Sequence, residues 1–175
     1  MKHLIALALA MVATSAKAEV ISASSNGFEV RETVPLVVPP DVAFNAFRNI
    51  AAWWDPEHTY SGEASNLTLA LTPGGCFCER IPKTGGGIEH MRVAYVDPGK
   101  RMVLTGSLGP LLYEATAGVM DVQVKTIAGG SQLTLDYKAA GFANGGAAKL
   151  APVVDGVLAE QMKRFRTYAA SRPKT

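Results

Sequence analysis

The order of secondary-structure signals predicts an α+β domain, with a curved antiparallel sheet of about six to seven strands wrapped around a long C-terminal helix. Three observations support this class. A Val-rich strand signal is followed at once by a short amphipathic helix, and a series of alternating segments is then separated by tight turns. The apolar period changes to that of a helix near residue 150. Short connections between successive strands favour an antiparallel meander.

The N-terminal part of the domain predicts one strand and one short helix. Residues 28–38 (FEVRETVPLVV) alternate loosely and are rich in Val, which favours a strand. Pro39 and Pro40 stop that strand and are suitably placed to open a helix. The predicted helix covers residues 41–54 and ends near Asp55, with apolar side chains at helical spacing: Val42, Ala43, Phe47, Ile50 and Trp54.

The middle of the chain predicts successive strands. Leu67, Leu69 and Leu71 alternate strictly with other residues, as expected for a strand with one buried face. Asp-Pro-Gly-Lys at 97–100 and Ala-Gly-Gly at 128–130 are clear turn signals between two such segments. The predicted strands are 66–72, 76–81, 88–96, 101–107, 113–127 and 131–140.

The C-terminal segment predicts the long helix. Pro152 suits the first turn, and the helix should run to about residue 170. Gln161 interrupts its apolar stripe, and a buried amide must find hydrogen-bond partners, such as a backbone group, a water or a ligand. The stripe comprises Val154, Val157, Leu158, Gln161, Met162, Phe165, Tyr168 and Ala169.

Residues 1–18 (MKHLIALALAMVATSAKA) have the pattern of a secretory signal peptide. Lys2 precedes a short apolar run, and Ala16-Lys17-Ala18 gives a small-x-small cleavage site. We therefore expect a single mature domain over residues 19–175 that is secreted, in the bacterial periplasm or outside the cell. No later run is long and apolar enough for a membrane span.

Charge and motifs exclude several function classes. The chain has 17 Lys and Arg against 15 Asp and Glu, and loss of the leader would remove two lysines, which leaves equal numbers. A neutral domain without a basic stripe gives no reason to expect nucleic acid. The sequence has no nucleophile elbow, phosphate loop or dinucleotide fingerprint, so no cofactor is predicted. The oligomeric state is not predicted.

The element order, together with VPPDVAFNAFRNIAAWW, PGGCFCE and DPGKRMVLTG, resembles the START-like superfamily, also called SRPBCC or helix-grip proteins. The branch it resembles most contains homologues of an activator of the heat-shock-protein ATPase, alongside polyketide cyclase-like proteins. The resemblance covers residues 28–168. It implies a cavity between sheet and long helix that holds a small hydrophobic molecule, lipid- or polyketide-like. Members include transporters, cyclases, hydrolases and co-chaperones, so the fold does not fix the function.

The inward phase of the strands and helix supplies the candidate cavity wall. A solid core and a partly hollow core both fit this pattern. Several methionines favour the hollow reading, because Met adapts to irregular apolar shapes. The candidate ligand-binding residues in this set are Leu69, Phe77, Met91, Met102, Met120, Tyr137, Leu158, Gln161 and Met162.

The aromatic stretch WWDPEHTYSG, residues 53–62, lies between the short helix and the next strand. In the fold that the chain resembles, this connection is near one cavity entrance. Trp54, His58 and Tyr60, together with Trp53, would then form an aromatic gate that contacts the ligand. The alternative is that one Trp anchors the helix to the core while the turn is merely polar and exposed.

Three residues are candidates for acid–base chemistry: Glu79, Glu89 and His58. Strict alternation puts Glu79 on the face of Phe77, and Glu89 on the face of Met91. A desolvated carboxyl in a cavity would have a raised pKa and could act as a general acid or base. The alternative is that each Glu lies at a strand end in water or pairs with a neighbouring Arg.

Both cysteines, Cys76 and Cys78, lie in one predicted strand. An oxidising compartment favours a disulfide. Residues i and i+2 of a strand, however, lie about 6.6 Å apart, near the upper limit of disulfide geometry. This spacing favours free or conditionally oxidised thiols, with a strained disulfide or a metal pair as alternatives. A candidate metal set combines both cysteines with His90, and with His58 as a fourth ligand. Alternation puts Cys76, Cys78 and His90 on the faces opposite Phe77 and Met91.

Three functional hypotheses remain open. The first is noncatalytic binding of a small apolar or amphipathic molecule. The second is a cyclase- or hydrolase-like enzyme that uses cavity Glu or His side chains as acid and base. The third is a protein-interaction module with a filled core. An apolar cavity without converging polar groups favours the first hypothesis. Two ionisable side chains within hydrogen-bond reach across a cavity favour the second, and the absence of a cavity favours the third.

Overall fold

The computed structural model of the chain describes residues 17–173. The expected signal peptide therefore lies outside the described residues, apart from Lys17 and Ala18, which begin the first strand. The strands are β1 (Lys17–Ser24), β2 (Gly27–Leu36), β3 (Leu67–Leu69), β4 (Cys76–Ile81), β5 (Gly86–Asp97), β6 (Arg101–Gly106), β7 (Thr116–Ile127) and β8 (Gly130–Gly141). The helices are α1 (Pro40–Arg48) and α2 (Ala151–Ala170).

The eight strands form one antiparallel sheet in the order β1-β2-β8-β7-β6-β5-β4-β3. The chain crosses from β2 to the far edge through α1 and then returns strand by strand, which is the predicted meander. Strand β1 is one more than the sequence predicts, and every residue of it is exposed. It therefore has no alternation of buried and exposed side chains by which a pattern could identify it.

Helix α1 begins at Pro40 as predicted but ends at Arg48, well before Trp54. The chain leaves the helix at Asn49 and forms a short 3₁₀ turn over Ile50–Ala52. This break turns Trp53 inward, where its indole N–H donates to the Phe47 carbonyl oxygen at 3.3 Å. The apolar face of the predicted helix is buried, but the second half is a tighter turn, which packs Trp53 against Phe165 of α2.

Helix α2 confirms the predicted long C-terminal helix and packs mainly on β2, β1 and α1. Its buried stripe contains Ala151, Leu158, Gln161, Met162, Phe165 and Ala169. Phe165 packs edge-on against Phe47 and Trp53, with ring centroids 5.5 and 5.3 Å apart. The aromatic residues of the first connection thus close one side of the core against the helix.

Strand β5 carries a β-bulge that re-aims one side chain. Phe77 of β4 pairs with Met91, and Cys78 pairs with Glu89, so His90 is an extra residue between the two pairs. As a result His90 and Met91, although adjacent, are both buried. Gly106 of β6 lies against the bulge, where a Cβ would be 2.8 Å from the His90 carbonyl oxygen.

Candidate functional site

A cavity of about 330 Å³ lies at one end of the core. Its walls come from four parts of the chain: the connection 54–60, the adjacent strands β4 and β5, the loop 108–111, and the N-terminal half of α2. Leu150, the residue before α2, lines it together with the α2 side chains Val153, Val154, Val157 and Leu158. An apolar wall with a few polar groups is typical of a small-molecule site.

The cavity occupies only part of the predicted region. Trp54, His58, Tyr60, Phe77 and Leu158 line it, as expected for contacts with a ligand. The other candidates do not border it, because the rest of the space between sheet and helix is filled by their own side chains. These buried residues are Leu69, Met91, Met102, Met120, Tyr137, Gln161 and Met162. The solid and hollow readings therefore apply to different ends of the same core.

The two tryptophans of the first connection have different roles. Trp53 is 2% exposed and packs against Phe47 and Phe165 in the core. Trp54 faces the cavity, packs against Phe77 at 5.6 Å, and donates its indole N–H to the His58 carbonyl oxygen at 3.0 Å. This hydrogen bond holds the backbone at His58 against the cavity wall.

Gln161 anchors the same connection to α2. Its side-chain oxygen accepts the backbone N–H of Asp55 at 2.8 Å, and its amide nitrogen lies 2.9 Å from Nδ1 of His58. Arg164, one turn further along, donates to the Trp53 carbonyl oxygen at 3.1 Å. Gln161 thus forms hydrogen bonds with the backbone of the connection and with His58, and its side chain does not line the cavity.

Glu79 is the polar centre of the site. It is 1% exposed, and its two carboxylate oxygens accept the backbone N–H groups of Tyr60 at 3.1 Å and Ser61 at 2.5 Å. The same carboxylate lies 3.1 Å from Nε2 of His90. Burial raises the pKa of Glu79, but the hydrogen bonds from Ser61, Tyr60 and His90 outweigh it, so the pKa falls below its ordinary value. Glu79 is therefore an ionised carboxylate.

His90 connects this carboxylate to the cavity. Its ring is 4% exposed and packs against Phe77 at 4.9 Å and Tyr60 at 6.0 Å. Burial lowers the pKa of His90 more than Glu79 raises it, so the ring is neutral near pH 7. An ionised Glu79 only accepts, which places the ring proton on Nε2. Within residues 17–173, Nδ1 is buried and has no hydrogen-bond partner.

Of the two alternatives for Glu89, the structure confirms pairing with a neighbouring Arg, and the candidate role of Glu89 in the cavity is wrong. Glu89 lies on the outer face of the sheet and forms an ion pair with Arg92. The bulge is the reason, since the extra residue shifts the alternation and puts His90 in the inward position instead. The outward phase expected for His90 is wrong for the same reason. A bulge leaves no alternation signal, so the sequence pattern could not identify His90 as a site residue.

The two cysteines form a disulfide, with Cα atoms 5.3 Å apart. The favoured expectation of free thiols is therefore wrong. Their Cα atoms lie closer together than the about 6.6 Å of a regular strand, within the range of disulfide geometry. Glu89 lies beside the two sulfurs on the outer face, but His58 and His90 do not belong to this group. Bonded sulfurs present no thiolates, so the structure does not assemble the candidate metal set.

The described helices include none that is long and apolar enough to cross a membrane. No family model matches this chain, and no curated protein matches it. Solved structures do match over most of its length. An uncharacterized protein from Rhizobium leguminosarum superposes with a TM-score of 0.61 at 15% identity, over 91% of this chain and 100% of that one.

Two further structures show the same architecture. Ara h 8.0201 matches with a TM-score of 0.58 at 14% identity, over 83% of this chain and 99% of its own. This chain has the helix-grip fold. CalU16 from Micromonospora echinospora matches with a TM-score of 0.55 at 8% identity, over 90% of this helix-grip chain and 86% of its own. The fold predicted from the sequence is thereby confirmed.

Proposed function

We propose that this helix-grip protein binds a small apolar or amphipathic molecule in the cavity beside α2. The observation that carries the proposal is the composition of the walls. Most of the lining side chains are apolar, among them Leu111, Val154 and Leu158, and His58 and His90 are among the few polar ones. Such a site can desolvate a hydrophobic body and orient it by one polar group.

The size of the cavity limits the ligand. Its 330 Å³ is at the lower end of the range of about 300–1,000 Å³ that small-molecule sites occupy. A bicyclic aromatic molecule or a short acyl chain fits this volume, whereas a whole phospholipid does not. Within the proposal, a lipid-like ligand is therefore a single chain, and a polyketide-like ligand is a compact one.

The entrance of the cavity is proposed to lie at Tyr60. This ring is 38% exposed and packs at 6.5 Å against Tyr113, which is 71% exposed. Trp54 and His58 continue the same wall inward. The predicted gate of Trp54, His58 and Tyr60 is supported by this arrangement, and the expected secretion would place the binding in the periplasm or outside the cell.

A direct binding experiment tests the proposal. The protein is titrated with the fluorescent apolar probe N-phenyl-1-naphthylamine, and the variant Val157→Phe fills part of the cavity. We expect the variant to weaken probe binding by roughly tenfold or more, because the added ring occupies the ligand's space. Val37→Phe is the matched control, since Val37 is 55% exposed and outside the cavity lining. Equal binding by the protein and both variants would overturn the proposal.

A second candidate function is the cyclase- or hydrolase-like enzyme, and the contact between Glu79 and His90 favours it. A neutral imidazole that a carboxylate orients is the usual form of a general base. The test is hydrolysis of 1-naphthyl acetate, which an active enzyme should accelerate and His90→Gln should abolish. The cavity of about 330 Å³ favours the first two hypotheses over the third, an interaction module with a filled core.

A further inference from the structure

His90 has a buried hydrogen-bond acceptor that the protein itself leaves unused. Nε2 is directed at Glu79, and Nδ1 finds no partner among residues 17–173. Buried polar atoms in native proteins are almost always hydrogen-bonded, so an exception in a site wall calls for an explanation. A ligand that carries a donor would supply the missing partner.

The tautomer of His90 is fixed by the groups around Glu79. The carboxylate accepts two backbone N–H groups, from Tyr60 and Ser61, which hold it ionised and in place. An ionised carboxylate cannot donate, so the imidazole must donate from Nε2 and present a lone pair at Nδ1. The negative charge behind the ring also strengthens Nδ1 as an acceptor.

We propose that His90 Nδ1 accepts a hydrogen bond from a hydroxyl group of the cavity ligand, which is a phenol, an enol or an aryl alcohol. The inference deepens the proposed function and rests on it. The aromatic rings of Phe77 and Tyr60 beside the imidazole suit a planar ligand whose hydroxyl points at the histidine. The fixed charge of Glu79 disfavours a carboxylate ligand at this position.

Access to Nδ1 runs along the Tyr60 side of the ring. Phe77 is 2% exposed and is held between Trp54 and His90, whereas Tyr60 is 38% exposed. Tyr60 is therefore the less buried of the two rings that flank the imidazole, and the proposed route of the ligand hydroxyl to Nδ1 passes on its side.

The experiment compares two probes of nearly equal shape, 1-naphthol and 1-methylnaphthalene, in calorimetric or fluorescence titrations. We expect the protein to bind 1-naphthol at least roughly tenfold more tightly, because only the hydroxyl satisfies Nδ1. His90→Phe should remove this preference and leave the methyl analogue bound. Glu89→Gln, an exposed carboxylate on the outer face, is the matched control and should keep the preference.

Two outcomes distinguish a failure of the hydroxyl subsite from a failure of the cavity as a binding site. Equal affinity for both probes would overturn the hydroxyl subsite while leaving the cavity as a binding site. Binding of neither probe would overturn the proposed function itself. Should His90→Phe fail to fold, ¹⁵N spectra of labelled histidine decide the matter. Addition of 1-naphthol, but not of 1-methylnaphthalene, should then shift the Nδ1 resonance of His90, and an unchanged resonance would contradict the proposal.

An independent feature lies between β2, β1 and α2, away from the cavity. Glu32 is 1% exposed, and within the described residues its Oε1 and the Oδ1 of Asp155 are both buried without a hydrogen-bond partner. Asp155 is close enough to raise the pKa of Glu32 further after the larger effect of burial. Two buried carboxyl groups with unused oxygens form a site for a cation.

The register of β1 brings the expected cleavage site to these carboxyls. Ala18 pairs with Glu32 across the strands, which places the peptide bond between Ala18 and Glu19 next to Glu32. Both the backbone N–H and the carboxylate of Glu19 are close enough to Asp155 to affect its pKa, although burial has the largest effect. Cleavage after Ala18, which the sequence predicts, would convert that amide nitrogen into an α-ammonium group. The new positive charge would then lie beside the two carboxyl groups.

We infer that the N-terminal ammonium of the processed chain binds between Glu32 and Asp155 and completes the mature fold. The only neighbouring cation on β1, Lys17, pairs with Glu19 at 2.9 Å and leaves with the leader. Arg31, next to Glu32, faces the other way and pairs with Asp136. The N-terminal ammonium is thus the group of the mature chain that is placed to satisfy the two carboxyls.

Three chains of defined N-terminus test this inference: one that begins at Glu19 with a free amine, the same chain acetylated, and one that keeps Lys17 and Ala18. We expect the free amine to raise the Tm by roughly 3 °C or more over the other two. Asp155→Asn should remove the difference, whereas Asp41→Asn, an exposed position on α1, should keep it. Equal Tm values for the three chains would overturn the inference.

Discussion

The Glu79 carboxylate lies 3.1 Å from Nε2 of His90, and both side chains are buried on neighbouring strands. Glu79 also accepts two backbone N–H groups of the connection that follows the tryptophans. One carboxylate therefore fixes both the imidazole and the loop that walls the cavity. The stability of the loop and the polarity of the site depend on the same group.

Glu79→Gln should destabilise the protein by about 2–4 kcal/mol. The carboxylate accepts from three donors, the N–H groups of Tyr60, Ser61 and His90, whereas the amide has only one accepting oxygen. The NH₂ group of the amide cannot accept a hydrogen bond, so at least one of these donors would lose its partner. Urea denaturation measures the change. Glu89→Gln is the control, because its carboxylate is exposed on the outer face, and it should stay within about 0.5 kcal/mol of the parent protein. Equal effects of the two substitutions would contradict the anchoring role.

Acidification should destabilise the protein in two steps. The pKa of His90 is lowered from 6.5 by burial, so below about pH 6.5 the unfolded chain takes up a proton that the native state refuses. Stability is therefore lost as the pH falls from that point. The pKa of Glu79 is lowered from 4.5, so its contribution is lost at still lower pH. Denaturation midpoints from pH 8 down to about pH 2 measure both steps.

His90→Gln isolates the first of these steps. The variant has no imidazole to titrate at this position, so the loss of stability between about pH 6.5 and pH 5 should become shallower. The second step should remain, because Glu79 is unchanged. A variant whose profile matches that of the parent protein over the whole range would contradict the assignment to His90.

The sequence predicted the fold because the fold depends on periodicity that most segments keep. Strand β4 and helix α2 were predicted almost to the residue, since their buried and exposed side chains alternate at the strand and helix periods. Glu79 was placed on the same face as Phe77 for the same reason, and both are buried. His90 was missed because a β-bulge inserts one residue, and residue pattern alone does not encode that insertion.

The disulfide between Cys76 and Cys78 should contribute little to global stability. It closes a loop of three residues, and the chain-entropy relation gives at most about 1.5 kcal/mol for so short a loop. We expect the double variant Cys76→Ser, Cys78→Ser to fold and to lose no more than that amount in urea denaturation. A loss above about 3 kcal/mol would contradict this prediction, because it would exceed the effect of loop closure alone.

Gln161→Leu should loosen the cavity wall. The substitution removes the acceptor for the Asp55 N–H and the contact with His58, and it leaves a part-buried backbone donor unsatisfied. We expect a loss of about 2 kcal/mol in stability. Relative to the parent protein, hydrogen exchange should become faster at residues 54–60 and stay unchanged at β7. Gln161→Glu keeps the acceptor for Asp55 and is the control; uniform loss of protection across the sheet would contradict a local role.

Glu32→Gln should stabilise the chain that keeps Lys17 and Ala18 at alkaline pH. Burial raises the pKa of Glu32 from 4.5 to about 8, so between these values the native state holds a proton that the unfolded chain releases. Stability therefore falls as the pH rises through this window, and Gln removes the fall. The variant should exceed the parent protein in Tm at pH 9 and approach it at pH 5. In the chain that begins at Glu19 with a free amine, the advantage should shrink, because an ammonium beside Glu32 would stabilise its ionised form.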